Sequence, residues 1–220
     1  MSNIKGVIFD MDGVIFDTES MSSDFWRKTM AKYGHEMNDE IYSEVMGRNK
    51  EGVIEGLESI YKDPSIDFRK ISEEKTAAMV EQLDKNPIPT LPGIYEIIEY
   101  LKLKGYKMGV ATSTRKFRAE KRLKKENIYD HMHAFMYGDE VEKSKPHPEI
   151  FLKTAQMLNL EPGECLVLED SPSGIEAAYN GGFKCINVVD MKKPTEQMKK
   201  RTIAICDDLF EVIDWLEENN

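Results

Sequence analysis

The stretch Val7-Ile8-Phe9-Asp10-Met11-Asp12-Gly13-Val14 decides how the rest of the chain is read. Three apolar residues run into an acid and then a glycine turn, the pattern of a buried strand that delivers two carboxylates to its C-terminal tip. Similar apolar runs follow at Met108-Gly109-Val110-Ala111, Cys165-Leu166-Val167-Leu168, Cys185-Ile186-Asn187-Val188 and Ile203-Ala204-Ile205-Cys206. Near-continuous apolar strands suit a parallel sheet covered on both faces, whereas a half-exposed sheet would alternate. Helical stripes lie between them. Ile94, Ile97, Ile98 and Leu101 precede Gly105, and Ile150, Leu152, Ala155 and Leu158 precede Asn159 and Pro162. Ile175, Ala177 and Ala178 precede Gly181-Gly182, and Leu209, Val212, Ile213 and Leu216 mark a last helix. Strands alternating with helices at this spacing predict right-handed βαβ units and an α/β fold with a doubly wound parallel sheet. Such sheets bind ligands beyond their C-terminal strand ends, where Asp10 and Asp12 fall.

The stretch from residue 15 to 86 breaks the pattern. It has no convincing buried strand but several helical patterns: Phe25, Trp26, Met30 and Tyr33 ahead of Gly34, then Ile41–Met46, Val53–Tyr61 and Phe68–Leu83. Three prolines within Asn86-Pro87-Ile88-Pro89-Thr90-Leu91-Pro92-Gly93 enforce extended chain after it. The expected organisation is therefore an α/β core of residues 1–14 and 87–220, with a helical module over 15–86 inserted after the first strand. A module in that position is a natural lid.

Composition excludes several classes. The chain has 220 residues, 30 Lys and Arg against 40 Asp and Glu, a formal charge of −10, and 40% hydrophobic residues. That length needs no disulfide or metal staple, and the balance is globular rather than disordered. The three cysteines, Cys165, Cys185 and Cys206, sit in strand-like runs without a CxxC pair, and read as reduced buried thiols of a cytoplasmic protein. No apolar run approaches a membrane span, and the start lacks the long apolar stretch of a signal peptide. A pI near 5.0 argues against general nucleic-acid binding. Lys116–Lys125, with six basic residues among ten, reads as a solvated helix face. A soluble monomer is the simplest expectation.

Further strand-end clusters carry possible chemistry, each with a plainer reading beside it. Leu166-Val167-Leu168-Glu169-Asp170-Ser171 ends a strand in acids; Asp170 or Ser171 could simply cap the next helix, or the acids could join Asp10 around a hard cation. Val110-Ala111-Thr112-Ser113-Thr114 is a helix start, or a phosphate cradle in which Thr112, Ser113 and backbone N–H groups hold phosphoryl oxygens. Lys145, in Lys143-Ser144-Lys145-Pro146-His147-Pro148, is a turn lysine, or the cation that balances carboxylates and phosphate. At the first strand, Asp10 can attack phosphorus while Asp12 serves the leaving oxygen as acid and water as base. His131 and His133, with His147 nearby, read as surface polar residues rather than a metal site.

In this order, each at a strand end, the four signals resemble the haloacid dehalogenase superfamily of phosphotransferases, over essentially the whole chain. The resemblance implies Asp10 as nucleophile, Asp12 as acid and base, and Thr112 and Lys145 as ligands of the phosphoryl group. It implies Mg²⁺ held by Asp10, the Asp12 backbone carbonyl and Asp170, with Glu169 beside them. Dehalogenating members lack the second acid, so Asp12 points to phosphate chemistry. The helical insert resembles the small cap of the β-phosphoglucomutase-like branch.

Within that branch the sequence favours a phosphatase acting on a small phosphorylated metabolite, a sugar phosphate, over a mutase. The mutases carry a histidine where Ser22 falls. Arg48 and Lys50 in Met46-Gly47-Arg48-Asn49-Lys50 resemble a cap loop that meets substrate, or form an exposed turn. β-Phosphoglucomutase is the alternative, and a non-catalytic binding module the remote one. Phe25, Trp26 and Tyr33 read as cap core.

Overall fold

The computed structural model describes residues 4–46, 50–191 and 193–220. Strand β1 (Gly6–Phe9) is followed by helices α1 (Thr18–Lys32), α2 (Asp39–Val45), α3 (Lys50–Tyr61) and α4 (Phe68–Lys85). Then come α5 (Ile94–Lys104), β2 (Lys107–Thr112), α6 (Lys116–Lys125), β3 (Ala134–Tyr137) and α7 (Glu149–Met157). The chain ends with β4 (Cys165–Glu169), α8 (Pro172–Asn180), β5 (Lys184–Val188), α9 (Glu196–Arg201), β6 (Ala204–Cys206) and α10 (Leu209–Asn219). The six strands form one sheet in the order β3-β2-β1-β4-β5-β6, and every pairing is parallel.

Side chains alternate across a strand, so successive apolar residues serve opposite faces. Ile8, Ala111, Val167 and Cys185 pack with Ile150 and Phe151 of α7 and Ile175 and Ala178 of α8. Their neighbours Val7, Phe9, Val110, Leu166 and Leu168 are equally buried, so both faces are covered. This explains runs without polar alternation. Helix α5 stops where Gly105 takes φ 76° and its N–H caps Leu101 and Lys102. The cysteines are buried free thiols. No described helix is long and apolar enough to cross a membrane.

Three expectations need correction. The run Ile203-Ala204-Ile205-Cys206 is not covered on both faces: β6 is an edge strand, with Ile203 46% and Ile205 40% exposed. Strand β3, Ala134–Tyr137, was not among the predicted runs; it is a four-residue edge strand directly after His133. Leu152 is 39% exposed and does not belong to the buried stripe of α7, because it sits two positions from Ile150, on nearly the opposite side of a 3.6-residue turn.

The chain divides into two compact units, residues 1–17 with 88–220 and residues 18–87. In the first, the segments flanking the insertion pair antiparallel: Asp17 N–H donates to Pro89 O (2.9 Å) and Leu91 N–H to Ile15 O (3.0 Å). In the second, α1 packs on α4 and α2 on α3, around a core of Trp26, Met30, Tyr42, Leu57, Phe68 and Ile71.

Candidate functional site

At the end of β1 the Asp10 N–H still donates to Leu168 O at 2.9 Å, so Asp10 leaves the sheet beside the tip of β4. The chain then turns through Gly13 at φ 92°. A Cβ added there would fall 2.5 Å from the Asp170 carboxyl, so both the backbone and the close approach require glycine. The glycine of the first motif thereby lets Asp170 stand against the loop that carries Asp10 and Asp12.

Lys145, from the loop between β3 and α7, reaches the same place. Its ammonium donates to Asp10 Oδ1, to Glu169 Oε1 at 2.8 Å and to the Ala111 carbonyl at 3.3 Å, which engages all three of its protons. The side chain is only 6% exposed, a burial tolerable for an ammonium only with such partners. Glu169 is fully buried. Its second oxygen accepts from the N–H and hydroxyl of Ser171, at 2.8 and 2.9 Å, so Glu169 is built as a support for Lys145 and the start of α8.

Two carboxyl groups, Asp10 and Glu169, thus share one ammonium, and Asp170 follows Glu169 directly in the chain. Burial pushes Asp10 up to about 7, reinforced by Glu169 and Asp12 and opposed by Lys145. Burial likewise pushes Asp170 well above the carboxylate range, with Glu169, Asp10 and Asp190 adding to it. Burial alone would lower Lys145, but Asp10 and Glu169 outweigh it and hold the ammonium above its ordinary value.

Among the described residues no three His, Cys, Asp or Glu side chains form a metal cage. The donor chemistry still fits Mg²⁺, which binds through one or two carboxylates and keeps several waters. Asp10 and Asp170, raised by burial and mutual repulsion, are the carboxylates that a dication would compensate. Glu169 is engaged elsewhere on both oxygens.

The β2 loop completes the cluster. Thr112 is 1% exposed, and its Oγ1 accepts from Thr114 N–H at 3.0 Å, which leaves its own proton to donate. Ser113 is exposed. Asp12 is gripped twice: Thr114 Oγ1 donates to Oδ2 at 2.7 Å and Arg122 Nη1 to Oδ1 at 3.0 Å. Arg122 was hidden in the basic run read as a solvated face; only the inward aim of one side chain sets it apart. Among the histidines, His133 Nδ1 accepts from Met108 N–H and His147 Nδ1 from Glu149 N–H.

Within the helical unit, a cavity of about 350 Å³ is lined by Glu19, Ser22, Trp26, Tyr42, Lys50 and Lys75, among others. Lys75, 8% exposed, donates to Ser22 Oγ at 2.7 Å and lies 5.9 Å from the Trp26 ring centroid. Burial lowers it to about 8, against the pull of Glu19. Glu19 accepts from the Tyr42 hydroxyl at 2.6 Å. Lys50 pairs with Glu73 at 3.1 Å, and Arg48 lies outside the described residues. Sequence reasoning missed Lys75 and Glu19, which become neighbours only through helix packing.

A parallel doubly wound sheet with acids from two adjacent strand tips around a buried lysine defines an α/β protein of the hydrolase and phosphotransferase type. The chain belongs to the haloacid dehalogenase-like hydrolase family, whose model matches residues 7–188. It is 36% identical over 188 residues to the phosphorylated carbohydrates phosphatase of Thermotoga maritima, covering 83% of this chain and 84% of the relative. It is 32% identical over 193 residues to the β-phosphoglucomutase of Bacillus subtilis, covering 84% and 83%. A crystal structure of a family hydrolase from Deinococcus radiodurans, with bound phosphate and sodium, superposes with a TM-score of 0.85 at 20% identity over 99% of this chain and 97% of that one, a likeness of fold. Of these two curated relatives, one is named a phosphatase and the other a mutase.

Proposed function

We propose that this protein is a Mg²⁺-dependent phosphatase that hydrolyses a small phosphate monoester, a sugar phosphate, through an aspartyl-phosphate on Asp10. The observation that carries the reading is the junction of Asp10, Asp170 and Lys145 at two neighbouring strand tips. Similarity to a phosphatase of phosphorylated carbohydrates supports the substrate class.

Lys145 engages Asp10 Oδ1, which leaves Oδ2 to attack phosphorus. As that P–O bond forms, the bond to the substrate alcohol breaks, and Asp12 protonates the departing oxygen. Asp12 then takes a proton from water, which attacks the aspartyl-phosphate and releases inorganic phosphate and free Asp10. Thr112 orients the phosphoryl oxygens, and Lys145 carries positive charge to them. Bound Mg²⁺, held by Asp10, Asp170 and the Asp12 carbonyl, supplies charge that favours ionised Asp10 and neutralises the transferring group.

The test is phosphate release from a sugar-phosphate panel with Mg²⁺ or EDTA, including β-glucose 1-phosphate with a parallel assay for glucose 6-phosphate. Mg²⁺-dependent phosphate release that vanishes in Asp10→Asn supports the reading. Glucose 6-phosphate forming with little free phosphate makes the chain a mutase, which the 32% identity to the Bacillus enzyme favours and Ser22 disfavours.

A further inference from the structure

Asp12 is held from two elements. Thr114, in the loop after β2, donates to Oδ2 at 2.7 Å, and Arg122, in α6, donates to Oδ1 at 3.0 Å. Other cations of α6 pair near the surface, Lys116 with Glu140 and Lys124 with Glu120, with side chains 53% and 54% exposed. Arg122 differs: its side chain is 15% exposed, and Asp12 is the one acid it pairs with among the described residues. A guanidinium gives up water only for a partner that replaces it. A carboxylate offers about four acceptor sites. The grip takes one on each oxygen, and the Asp12 side chain stays 33% exposed. The carboxylate is therefore fixed in direction yet still able to meet a reactant.

We propose that Arg122 is a positioning residue that, together with Thr114, sets the orientation from which Asp12 exchanges protons with the leaving oxygen and with the attacking water. This rests on the reading of Asp12 as the acid–base group. Neither Arg122 nor Thr114 touches phosphorus; each acts through Asp12. Without them the side chain spreads over its rotamers, and misplacement by about 1 Å can slow a reaction about 100-fold.

The experiment compares kcat/KM, which reports the phosphorylation half-reaction, for glucose 6-phosphate and p-nitrophenyl phosphate. The sugar alkoxide needs a proton to depart and nitrophenolate does not. Arg122→Met and Thr114→Val should each lower kcat/KM at least about tenfold on glucose 6-phosphate and less than about threefold on p-nitrophenyl phosphate. KM should stay nearly constant, and Arg122→Lys should recover part of the loss. Added to Asp12→Asn, either substitution should change nothing further. Equal losses on both substrates, losses that persist in Asp12→Asn, or an unchanged or higher kcat/KM each overturn the proposal. Thr114→Val carries the test if Arg122→Met fails to fold. Wild-type protein that releases phosphate only at background rates, from p-nitrophenyl phosphate and from every member of the sugar-phosphate panel, refutes the underlying phosphatase reading instead.

Discussion

Lys145 in the α/β unit and Lys75 in the helical unit are both buried ammonium groups, the first 6% exposed by side chain and the second 8% exposed as a residue. Their surroundings pull them in opposite directions. Lys145 touches two carboxylates, which hold it charged above its ordinary value despite burial. Lys75 has a serine hydroxyl and an indole face, and burial brings it down to about 8. Contact with two acidic partners makes the first a permanent counter-charge. Their absence makes the second an adaptable group that an anionic or hydroxylated guest could draw back to full charge.

The comparison is broken most forcefully at the α/β site. Asp10→Asn should reduce Mg²⁺-dependent phosphate release at least about 10⁴-fold, since the attacking oxygen is lost; residual activity near wild type would remove Asp10 from the chemistry. Lys145→Met should cost about 3–5 kcal/mol in urea unfolding at neutral pH, because Asp10 and Glu169 remain buried without their cation. The mirror substitution should go the other way. Lys75→Met should stabilise the protein by about 1–2 kcal/mol at pH 7, because there the folded chain holds a charge that burial disfavours. Folding lowers Lys75 from 10.5 to about 8, so the penalty stands in full below about pH 8 and fades as pH rises toward 10.5. Paired urea titrations at pH 7 and pH 10.5 check it, and a gain that grows with pH would contradict it. The smallest effect belongs to Glu19→Gln, which should move the titration midpoint of Lys75, followed by its reactivity toward an acylating reagent, slightly to lower pH.

How much the sequence reveals follows the same division. The α/β site is legible because Asp10, Thr112 and Asp170 come at the ends of apolar runs, and a parallel sheet carries such ends to one edge. Even Lys145, on a loop, is flagged by its place in the series. Arg122 is not legible, since six cations among ten residues hide which one turns inward. Glu169 reads as a metal neighbour in sequence; only the positions of Lys145 and Ser171 show that its oxygens are already engaged. The four helices of the insertion can be read from their periodicity. Their cavity cannot, because Ser22 of α1 and Lys75 of α4 meet through a packing angle that no spacing encodes.

The central place of β1 has a consequence for how the chain folds. Val7 pairs with Met108 on one side and Leu166 on the other, so the first strand gains one neighbour only at mid-chain and the other only when β4 exists. Closing such large loops is a slow, entropically opposed event. During synthesis, Val7, Ile8 and Phe9 emerge early as an unpaired apolar ribbon. A nascent chain stalled before β4 should hold chaperones, whereas one that has cleared residue 188 should release them.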